Sequence, residues 1–339
     1  NNVKIKPFVS VILPVYNEQN YIEDCLNSIF SQDYGNENFE VIVVDGFSED
    51  STLSILNGIK NNYEGKMIVL QNIKKIAAAA MNIGIKHSFG EIIIRMDAHC
   101  DYENDYISQC VNSLVSCEVD NVGGVANTKG KNFVGEITAF IMSSPFGVGN
   151  SMFRIGLGNR LVDTVPFGAF KKSTLEILDG FNEEYVYNED NEINYRIRKN
   201  GGKVFLSENI KFTYYSRDSV KNFFNMAFRN GKWNIISFFR CSKMMSVRHF
   251  IPLFFVIGII LELIFTFSGI KNVFYYSLSI LLMSYCFLNL FFSLSIIKEH
   301  GLKYYIPVLG MFFGFHCFYG VGSLCGILNH IFVKGWQIK

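Results

Sequence analysis

The sequence lacks an excess of charge of either sign. Its 339 residues include 31 Lys and Arg against 30 Asp and Glu, so the formal net charge at neutral pH is +1. Proteins that bind nucleic acid through its phosphates usually carry a strongly basic field. The charge balance gives no support to a nucleic-acid partner, and we expect none.

The cysteines lack any arrangement typical of a metal or redox motif. The eight cysteines include no Cys-x-x-Cys pair and none at the spacing of zinc ligands. Cys110 and Cys117 lie seven positions apart in a predicted helix, while Cys286, Cys317 and Cys325 lie in apolar segments. We expect free thiols that act as small apolar side chains in a reducing compartment.

No basic segment followed by an apolar core opens the sequence, so no signal peptide is visible. Charged residues are concentrated before residue 250, and three apolar runs after it reach the ~20 residues that cross a bilayer core. These runs are 250–268, 273–297 and 304–333. We predict a cytoplasmic domain at 1–218, an amphipathic helix and linker at 219–249, and a membrane region of about three transmembrane helices at 250–339.

Basic residues indicate the orientation of this membrane region. Arg240, Lys243 and Arg248 precede the first apolar run, which favours a multi-pass plasma-membrane protein with its N-terminal domain in the cytoplasm. Three spans would then place the C-terminus outside, which Lys334 and Lys339 oppose. The third run is long enough to be kinked or re-entrant, so both arrangements of the last segment stay open.

The first part of the sequence alternates apolar strands with helical patterns. The predicted strands are 8–13, 39–44, 67–70 and 91–96, with helices that include 21–32 and 75–88. This alternation predicts an α/β domain with a parallel, doubly wound, Rossmann-like sheet. Polar residues cluster after the strand ends, where such sheets bind their ligands.

An acid and an imidazole follow the fourth predicted strand. Asp97 and His99 are two positions apart, so in extended backbone their side chains point to the same side and could hold one divalent ion. Asp and His are acceptable ligands for Mn²⁺ or Mg²⁺, and the imidazole favours the softer Mn²⁺. The alternative is that Asp97 begins a turn and His99 is an exposed loop residue.

Two further acidic positions lie on a predicted loop and at a helix start, namely Asp45 and the pair Glu189 and Asp190. A nucleotide-sugar transferase needs a carboxylate for the base or ribose, a cation for the diphosphate and a general base for the acceptor hydroxyl. Each position also has a structural interpretation. Asp45 could cap the following helix, and Glu189 with Asp190 could be an acidic first turn that the helix dipole stabilises.

Four motifs in order resemble inverting family 2 glycosyltransferases. They are VSVILPVYNE at 9–18, VVDG at 43–46, MDAH at 96–99 and NED at 188–190. The resemblance covers about residues 8–240 and implies a GT-A fold, a Rossmann-like domain that binds a nucleotide sugar. The MDAH variant, segment 144–151 and the apolar runs are most similar to the ExoA-type enzymes of exopolysaccharide (succinoglycan) biosynthesis.

The resemblance implies which residues hold the sugar-nucleotide donor. Pro14, Tyr16 and Glu18 would line the nucleobase pocket, and Asp45 would bind the uracil or ribose. Asp97 would contribute to donor binding through the metal that holds the diphosphate.

The resemblance also implies a metal site and a base. Asp97 and His99 stand at the family's Asp-x-Asp metal site, which implies Mn²⁺ or Mg²⁺ as cofactor. His99 replaces the second acid, which keeps a ligand but lowers the negative charge of the site. Asp190 occupies the catalytic-base position, with Glu189 beside it.

Residues for the acceptor are less sharply indicated. Arg229 and Trp233 resemble the Gln-x-x-Arg-Trp element of processive synthases, but Asn225 replaces the Gln and three residues separate Arg229 from Trp233. The departure argues against processive polymerisation.

The helix at 219–239 could lie in the lipid headgroup plane or pack on the catalytic domain, and Trp233 could stack on the acceptor sugar or anchor the helix at the membrane interface. Asn150, in the Gly-rich segment 144–151, could help to bind diphosphate or lie in a membrane-facing loop.

These observations lead to one hypothesis and two rivals. The hypothesis is a membrane-bound, metal-dependent, inverting transferase that moves a sugar from a UDP-sugar to a polyprenyl-diphosphate-linked saccharide in exopolysaccharide or cell-surface glycan assembly. The first rival is a polyprenyl-phosphate sugar transferase, whose acceptor phosphate is already ionised and needs no strong base. The second is a non-catalytic nucleotide-binding membrane protein, such as a channel or transporter with a regulatory domain.

Overall fold

The computed structural model describes residues 6–63, 65–156, 158–269 and 271–333. Its strands are β1 (Val9–Val15), β2 (Phe39–Asp45), β3 (Lys66–Gln71), β4 (Ile92–Arg95), β5 (Cys100–Tyr102), β6 (Asn121–Lys129), β7 (Arg160–Leu161), β8 (Ala169–Lys171) and β9 (Val204–Tyr215). Its α-helices are α1 (Ile22–Phe30), α2 (Thr52–Asn62), α3 (Ala77–His87), α4 (Tyr106–Ser116), α5 (Phe133–Ser143), α6 (Pro145–Val148), α7 (Met152–Ile155), α8 (Lys172–Ile177), α9 (Glu189–Lys199), α10 (Val220–Arg240), α11 (Ile251–Ser268), α12 (Val273–His300) and α13 (Tyr305–Val333). The eight cysteines are free thiols, as predicted.

The strands form one sheet, and its first half has the predicted parallel arrangement. β3, β2, β1 and β4 are neighbours in that order and run parallel. The whole of β2 is buried, as its continuous apolar run requires of a strand covered on both faces. The predicted parallel arrangement, which was drawn from the first part of the sequence, is confirmed there, and the rest of the sheet is mixed. The order continues β8, β6, β9, β5, and the β4–β8, β6–β8 and β5–β9 pairs are antiparallel.

The chain divides into two compact units. The first runs to Asn127 and resumes at Gly156–Tyr214, and the second joins Thr128–Ile155 to the chain from Tyr215 onward. Residues 128–155, which the sequence analysis assigned to the N-terminal domain, thus pack with the C-terminal helices. Their helix α5 contributes buried apolar side chains, among them Ile141, to a core shared with α10 and α13.

Three helical segments of the second unit are long and apolar enough to cross a membrane, judged by length and composition. They are Val247–Ser268, Val273–His300 and Leu302–Phe332, with mean hydropathies of 2.5, 2.1 and 1.5. Their bounds match the three predicted runs to within a few residues. The last is the least apolar of the three.

Glycines bring α10 into close contact with α13. A Cβ built on Gly231 of α10 would lie 1.9 Å from the Tyr319 carbonyl oxygen, and one on Gly322 of α13 would lie 2.0 Å from the Phe228 carbonyl oxygen. Small residues permit such approach of two helix backbones. The apolar face of α10 therefore packs on α13 within its own unit, a partner that neither interpretation of this helix had named.

Replacement of Gly231 by alanine should destabilise this helix pair, because the new methyl group collides with the backbone of α13. Overpacking of this kind costs about 1–3 kcal/mol, and we expect a lower melting temperature of the detergent-solubilised chain. Gly310→Ala in α13 is the matched control, since its Cβ would meet no heavy atom within 4 Å. Equal losses in the two variants would contradict the packing described.

Candidate active site

The parallel strands bring three polar chain segments to one edge of the sheet. In the register of the sheet, Val15 at the end of β1 lies beside Asp45 at the end of β2, and Ile12 lies beside Arg95 at the end of β4. Asp97 and His99 follow β4 directly. Ligands of α/β sheets bind outside the carboxyl ends of the strands, at the point where strand order reverses. Strand order reverses at β1, between β2 and β4.

Hydrogen bonds tie the loop after β1 to the loop after β2. The backbone N–H of Asn17 donates to Ser48 Oγ at 2.9 Å, and its side-chain Oδ1 accepts from the N–H of Glu49 at 2.8 Å. The N–H of Glu18 donates to Thr52 Oγ1 at 2.8 Å. The predicted nucleobase residues therefore lie on a cross-linked pair of loops.

Asp45 is fully buried at the base of these loops. Its carboxylate accepts hydrogen bonds from Ser48 Oγ at 2.6 Å and from Gln71 Nε2 at 3.2 Å. It does not cap the following helix, which begins at Thr52 with Ser51 at the N-cap. Asp45 instead fixes the turn that carries Ser48.

Beside Asp45, Tyr16 offers an exposed ring. The side chain is 44% exposed, and the Lys75 ammonium lies 5.4 Å from the ring centroid. Pro14 is half-buried within β1, two residues before. An exposed aromatic face next to a cation can accept a stacked base and its phosphates.

Glu18, Asp97 and His99 form a compact group that could hold a cation. One ligand atom from each residue lies within 4.8 Å of the other two. His99 Nδ1 is 2.9 Å from Asp97 Oδ1 and 3.4 Å from Glu18 Oε1. The predicted pair thus acquires a third potential ligand, Glu18, which the sequence analysis had placed in the nucleobase pocket.

The raised pKa of His99 indicates that this group has a negative electrostatic potential. Burial lowers the pKa of His99, but the charges of Asp97 and Tyr214 and the contacts with Asp97 and Glu18 outweigh it and hold that pKa well above its usual value. Among the described residues, no well-aligned hydrogen bond occupies the buried Nδ1. A nitrogen and two carboxylate oxygens that face one point are a suitable donor set for Mn²⁺ or Mg²⁺.

The second acidic pair sits at the start of α9. Glu189 and Asp190 form its first turn, after Asn188 in a left-handed conformation, and so lie where the helix dipole stabilises negative charge. Arg95 Nη1 contacts both, at 2.9 Å from Glu189 Oε1 and 2.7 Å from Asp190 Oδ1. The pair is therefore held by an arginine at the end of β4.

Arg95 and its partners are largely withdrawn from water. The Arg95 side chain is 8% exposed and that of Asp190 is 24% exposed. Burial raises the pKa of Asp190 to about 7, with Arg95 opposing the rise and the charges of Glu189 and Asp97 adding to it. A carboxylate with a pKa near the working pH can accept a proton from a hydroxyl group.

The sequence analysis missed Arg95 and the place of Glu18 in the acidic group. An arginine that ends an otherwise apolar strand, Ile92–Arg95, is the signal that could have found the first, because a buried guanidinium requires an acidic partner. Glu18 carries no comparable signal, since 79 positions separate it from Asp97 and only the sheet joins them.

The three predicted acceptor residues belong to the second unit. Asn150 Oδ1 accepts a hydrogen bond from Arg248 Nη1 at 2.7 Å. Arg229 is exposed on α10, and Trp233 is half-buried on the same helix. Their contact with an acceptor or with diphosphate stays a prediction.

Known proteins are similar to this chain in sequence and in fold. The model of glycosyl transferase family 2 matches residues 10–178. The chain is 29% identical to the dolichyl N-acetyl-alpha-D-glucosaminyl phosphate 3-beta-D-2,3-diacetamido-2,3-dideoxy-beta-D-glucuronosyltransferase of Methanococcus voltae, over 95% of this chain and 98% of that protein. It is 26% identical to the succinoglycan biosynthesis protein ExoA of Rhizobium meliloti (strain 1021), over 72% of this chain and 74% of that protein.

A solved structure shares the fold along nearly the whole chain. The mannosyltransferase PcManGT from Pyrobaculum calidifontis, in complex with GDP-Man and Mn²⁺, superposes with a TM-score of 0.65 at 19% identity, over 95% of this chain and 88% of that one. At this identity the likeness is one of fold, and it confirms the predicted GT-A architecture. Together with the motifs at the sheet edge, these relatives show that the chain belongs to glycosyl transferase family 2 and is a glycosyltransferase.

Proposed function

We propose that this chain is a membrane-attached inverting glycosyltransferase that moves a sugar from a UDP-sugar to a hydroxyl group of a lipid-linked saccharide. The observation that carries the proposal is the pairing, at one sheet edge, of a group that could hold a cation with a buried carboxylate whose pKa is near neutral. Such a site can bind a nucleotide diphosphate and also deprotonate an alcohol.

In the proposed reaction, Asp190 takes the proton of the acceptor hydroxyl. The hydroxyl oxygen then forms a bond to the anomeric carbon of the donor, on the face opposite the diphosphate. The bond between that carbon and the diphosphate oxygen breaks, UDP leaves with the electron pair, and the anomeric configuration inverts. Asp97, His99 and Glu18 would hold a divalent cation, Mn²⁺ or Mg²⁺, which would supply neutralisation of the diphosphate charge.

The acceptor is inferred from relatives and from the apolar helices. The Methanococcus relative is named for a dolichyl-phosphate-linked sugar acceptor, and the Rhizobium relative for succinoglycan biosynthesis. Three helical segments that could cross a membrane would keep the enzyme beside such a lipid. An acceptor saccharide carried on polyprenyl phosphate or diphosphate is therefore consistent with the names of the relatives and with the apolar helices. In this proposal the active site lies on the cytoplasmic side of the plasma membrane.

The proposal can be tested by supplying a panel of UDP-sugars to the purified chain in liposomes that contain Mn²⁺ or Mg²⁺. Each UDP-sugar is combined with three acceptors in turn: polyprenyl phosphate, polyprenyl-phosphate-linked sugar and polyprenyl-diphosphate-linked sugar. We expect UDP release together with a lipid product lengthened by one sugar, and only with an acceptor that already carries sugar. Product formed on bare polyprenyl phosphate would favour the first rival. No turnover with any pair would overturn the proposal.

The cation-binding group can be tested by substitution of His99. His99→Ala removes one of three ligand atoms, and we expect the Kd for Mn²⁺ in the presence of UDP to rise at least about 100-fold, since loss of even an outer-shell partner costs 10–100-fold. Isothermal titration measures this directly. His87→Ala, at an exposed position at the end of α3, is the matched control. Unchanged Mn²⁺ affinity in His99→Ala would count against the site.

A further inference from the structure

The backbone of Asp97 is held by the side chain of Tyr102, which follows it closely along the chain. The Asp97 N–H donates a hydrogen bond to Tyr102 Oη at 2.6 Å, and the Tyr102 hydroxyl donates one to the Asp97 carbonyl oxygen at 3.2 Å. Asp97 is also a member of the group that could hold a cation. One hydroxyl group thus pairs with both backbone polar groups of a potential metal ligand.

Asp97 lies at the point where the hydrogen bonds between β4 and β1 end. The N–H of Met96, the preceding residue, still donates to the Ile12 carbonyl oxygen of β1 at 3.0 Å. Residues 98–99 then form a turn, and β5 begins directly after it. Backbone groups beyond the end of a ladder need other partners, because an unpaired buried N–H or C=O costs free energy. The Tyr102 hydroxyl is such a partner for Asp97.

The Tyr102 side chain is itself held by its surroundings. It is 5% exposed, and its ring packs edge-on against that of Tyr106, with centroids 4.7 Å apart. The ring of Phe212 in β9 lies 6.2 Å away, centroid to centroid. The backbone N–H of Tyr102 donates to Ser28 Oγ in α1 at 3.3 Å. Because α1, α4 and β9 all contact Tyr102, its hydroxyl group has a fixed position.

The other end of the turn is held by the pairing of β5 with β9. Cys100 lies opposite Tyr214 in this antiparallel register, and the His99 ring packs edge-on against that of Tyr214, with centroids 5.2 Å apart. The Cys25 thiol of α1 also donates to the Asp97 carbonyl oxygen, at 3.5 Å. The 2.9 Å approach of His99 Nδ1 to Asp97 Oδ1 therefore depends on a turn that is held at both ends.

We propose that Tyr102 is a positioning residue for the cation site, whose hydroxyl fixes the backbone of Asp97 so that the carboxylate of Asp97 and the imidazole of His99 face one point. The inference rests on the divalent cation of the proposed function. Tyr102 is not one of the three potential ligands, so it acts through Asp97. Groups that orient a metal ligand without touching the ion typically contribute about 10- to 100-fold to metal affinity.

Tyr102→Phe tests this inference in the full chain, because phenylalanine keeps the ring and its packing and removes only the hydroxyl group. We expect the Kd for Mn²⁺ in the presence of UDP to rise about 10- to 100-fold. Electron paramagnetic resonance, which distinguishes free from bound Mn²⁺, measures this Kd without any turnover. The Mn²⁺ concentration that gives half of the maximal transfer rate should rise by the same factor, and saturating Mn²⁺ should restore most of kcat.

Tyr106→Phe is the matched control. It removes a hydroxyl group from the neighbouring ring of the same aromatic cluster, and this hydroxyl has no hydrogen-bond partner among the described residues. We expect its Mn²⁺ affinity to equal that of the unaltered chain. A thermal melt of each variant shows that it is folded at the temperature of the titration. A lower melting temperature of Tyr102→Phe with unchanged Mn²⁺ affinity would show a purely structural role and overturn the inference.

The other outcomes separate this inference from the proposed function. Unchanged Mn²⁺ affinity in Tyr102→Phe, together with weakened binding in His99→Ala, would overturn the positioning role and leave the cation site intact. Equal losses of affinity in Tyr102→Phe and Tyr106→Phe would also overturn it, because both hydroxyl groups would then act through the aromatic packing alone. Failure of the unaltered chain to bind Mn²⁺ in the presence of UDP would overturn the cation site itself, and this inference with it.

Discussion

Asp190→Asn should lower kcat for sugar transfer by about 10²- to 10⁴-fold, the usual contribution of a positioned general base. Asparagine preserves the shape of the side chain and can still contact Arg95, but it cannot accept the proton of the acceptor hydroxyl. The Kd for UDP should change by less than about threefold, because Asp190 does not lie on the loops of the proposed nucleotide pocket. Steady-state kinetics and titration calorimetry measure the two quantities.

Glu189→Gln is the matched comparison for that variant. It removes the other carboxylate that contacts the same Arg95 nitrogen, and we expect a loss of less than about tenfold, because its neighbour still provides the base. Full turnover in Asp190→Asn would remove Asp190 from the role of base. It would also favour an acceptor that is already ionised, such as a lipid phosphate.

The rate should also depend on pH through Asp190. The base acts only when deprotonated, and burial raises the pKa of Asp190 to about 7, so kcat/KM should rise with pH through that region. A cation bound beside Asp97 would offset one of the charges that raise the pKa of Asp190, and so would shift this rise to lower pH. In Asp190→Asn the residual activity should lose this dependence.

Arg95→Met should destabilise the first unit by about 3–5 kcal/mol, the cost of removing one partner from a buried ion pair. Methionine fills similar space but leaves Glu189 and Asp190 as adjacent buried carboxylates with no counter-charge. The pKa of Asp190, which burial already raises, then rises further in the folded state, so the folded state binds more protons than the unfolded state. Stability falls with rising pH in such a case, and the loss should be larger at pH 8 than at pH 5.

A combined variant separates lost charge balance from lost packing. Arg95→Met together with Glu189→Gln and Asp190→Asn removes every charge of the cluster, and we expect it to recover most of the stability that Arg95→Met loses. Urea unfolding at both pH values measures the free energies. A loss that is independent of pH and persists in the combined variant would show that Arg95 acts by packing alone.

The parallel half of the sheet was predictable because its strands are continuous apolar runs separated by helical patterns. The antiparallel half was not. β8 has three residues, too few for a periodic pattern, and it pairs with β4 only through the tertiary fold. The assignment of residues 128–155 to the second unit could not be predicted either, because nothing in the apolar sequence of helix α5 favours packing in the second unit over packing in the first.

The candidate site was also predictable only in part. Asp97 and His99 converge as predicted, but Ala98 and His99 form a turn between β4 and β5, so alternation along extended backbone is not the cause. Their approach to Glu18, and the contact of Arg95 with Asp190, depend on which strands become neighbours. Local patterns in one sequence do not contain that information.

The cross-linked loops of the sheet edge have a thermodynamic consequence. Glu18 belongs to the group that could hold a cation. Its own backbone N–H donates a hydrogen bond to Thr52 Oγ1 at the start of α2, directly after the loop that carries Ser48, the partner of Asp45. Any ordering of one loop by a nucleotide would thereby be transmitted to Glu18, a proposed metal ligand. Linkage requires the effect to be reciprocal, so in the proposed site any factor by which UDP tightened Mn²⁺ binding would equal the factor by which Mn²⁺ tightened UDP binding.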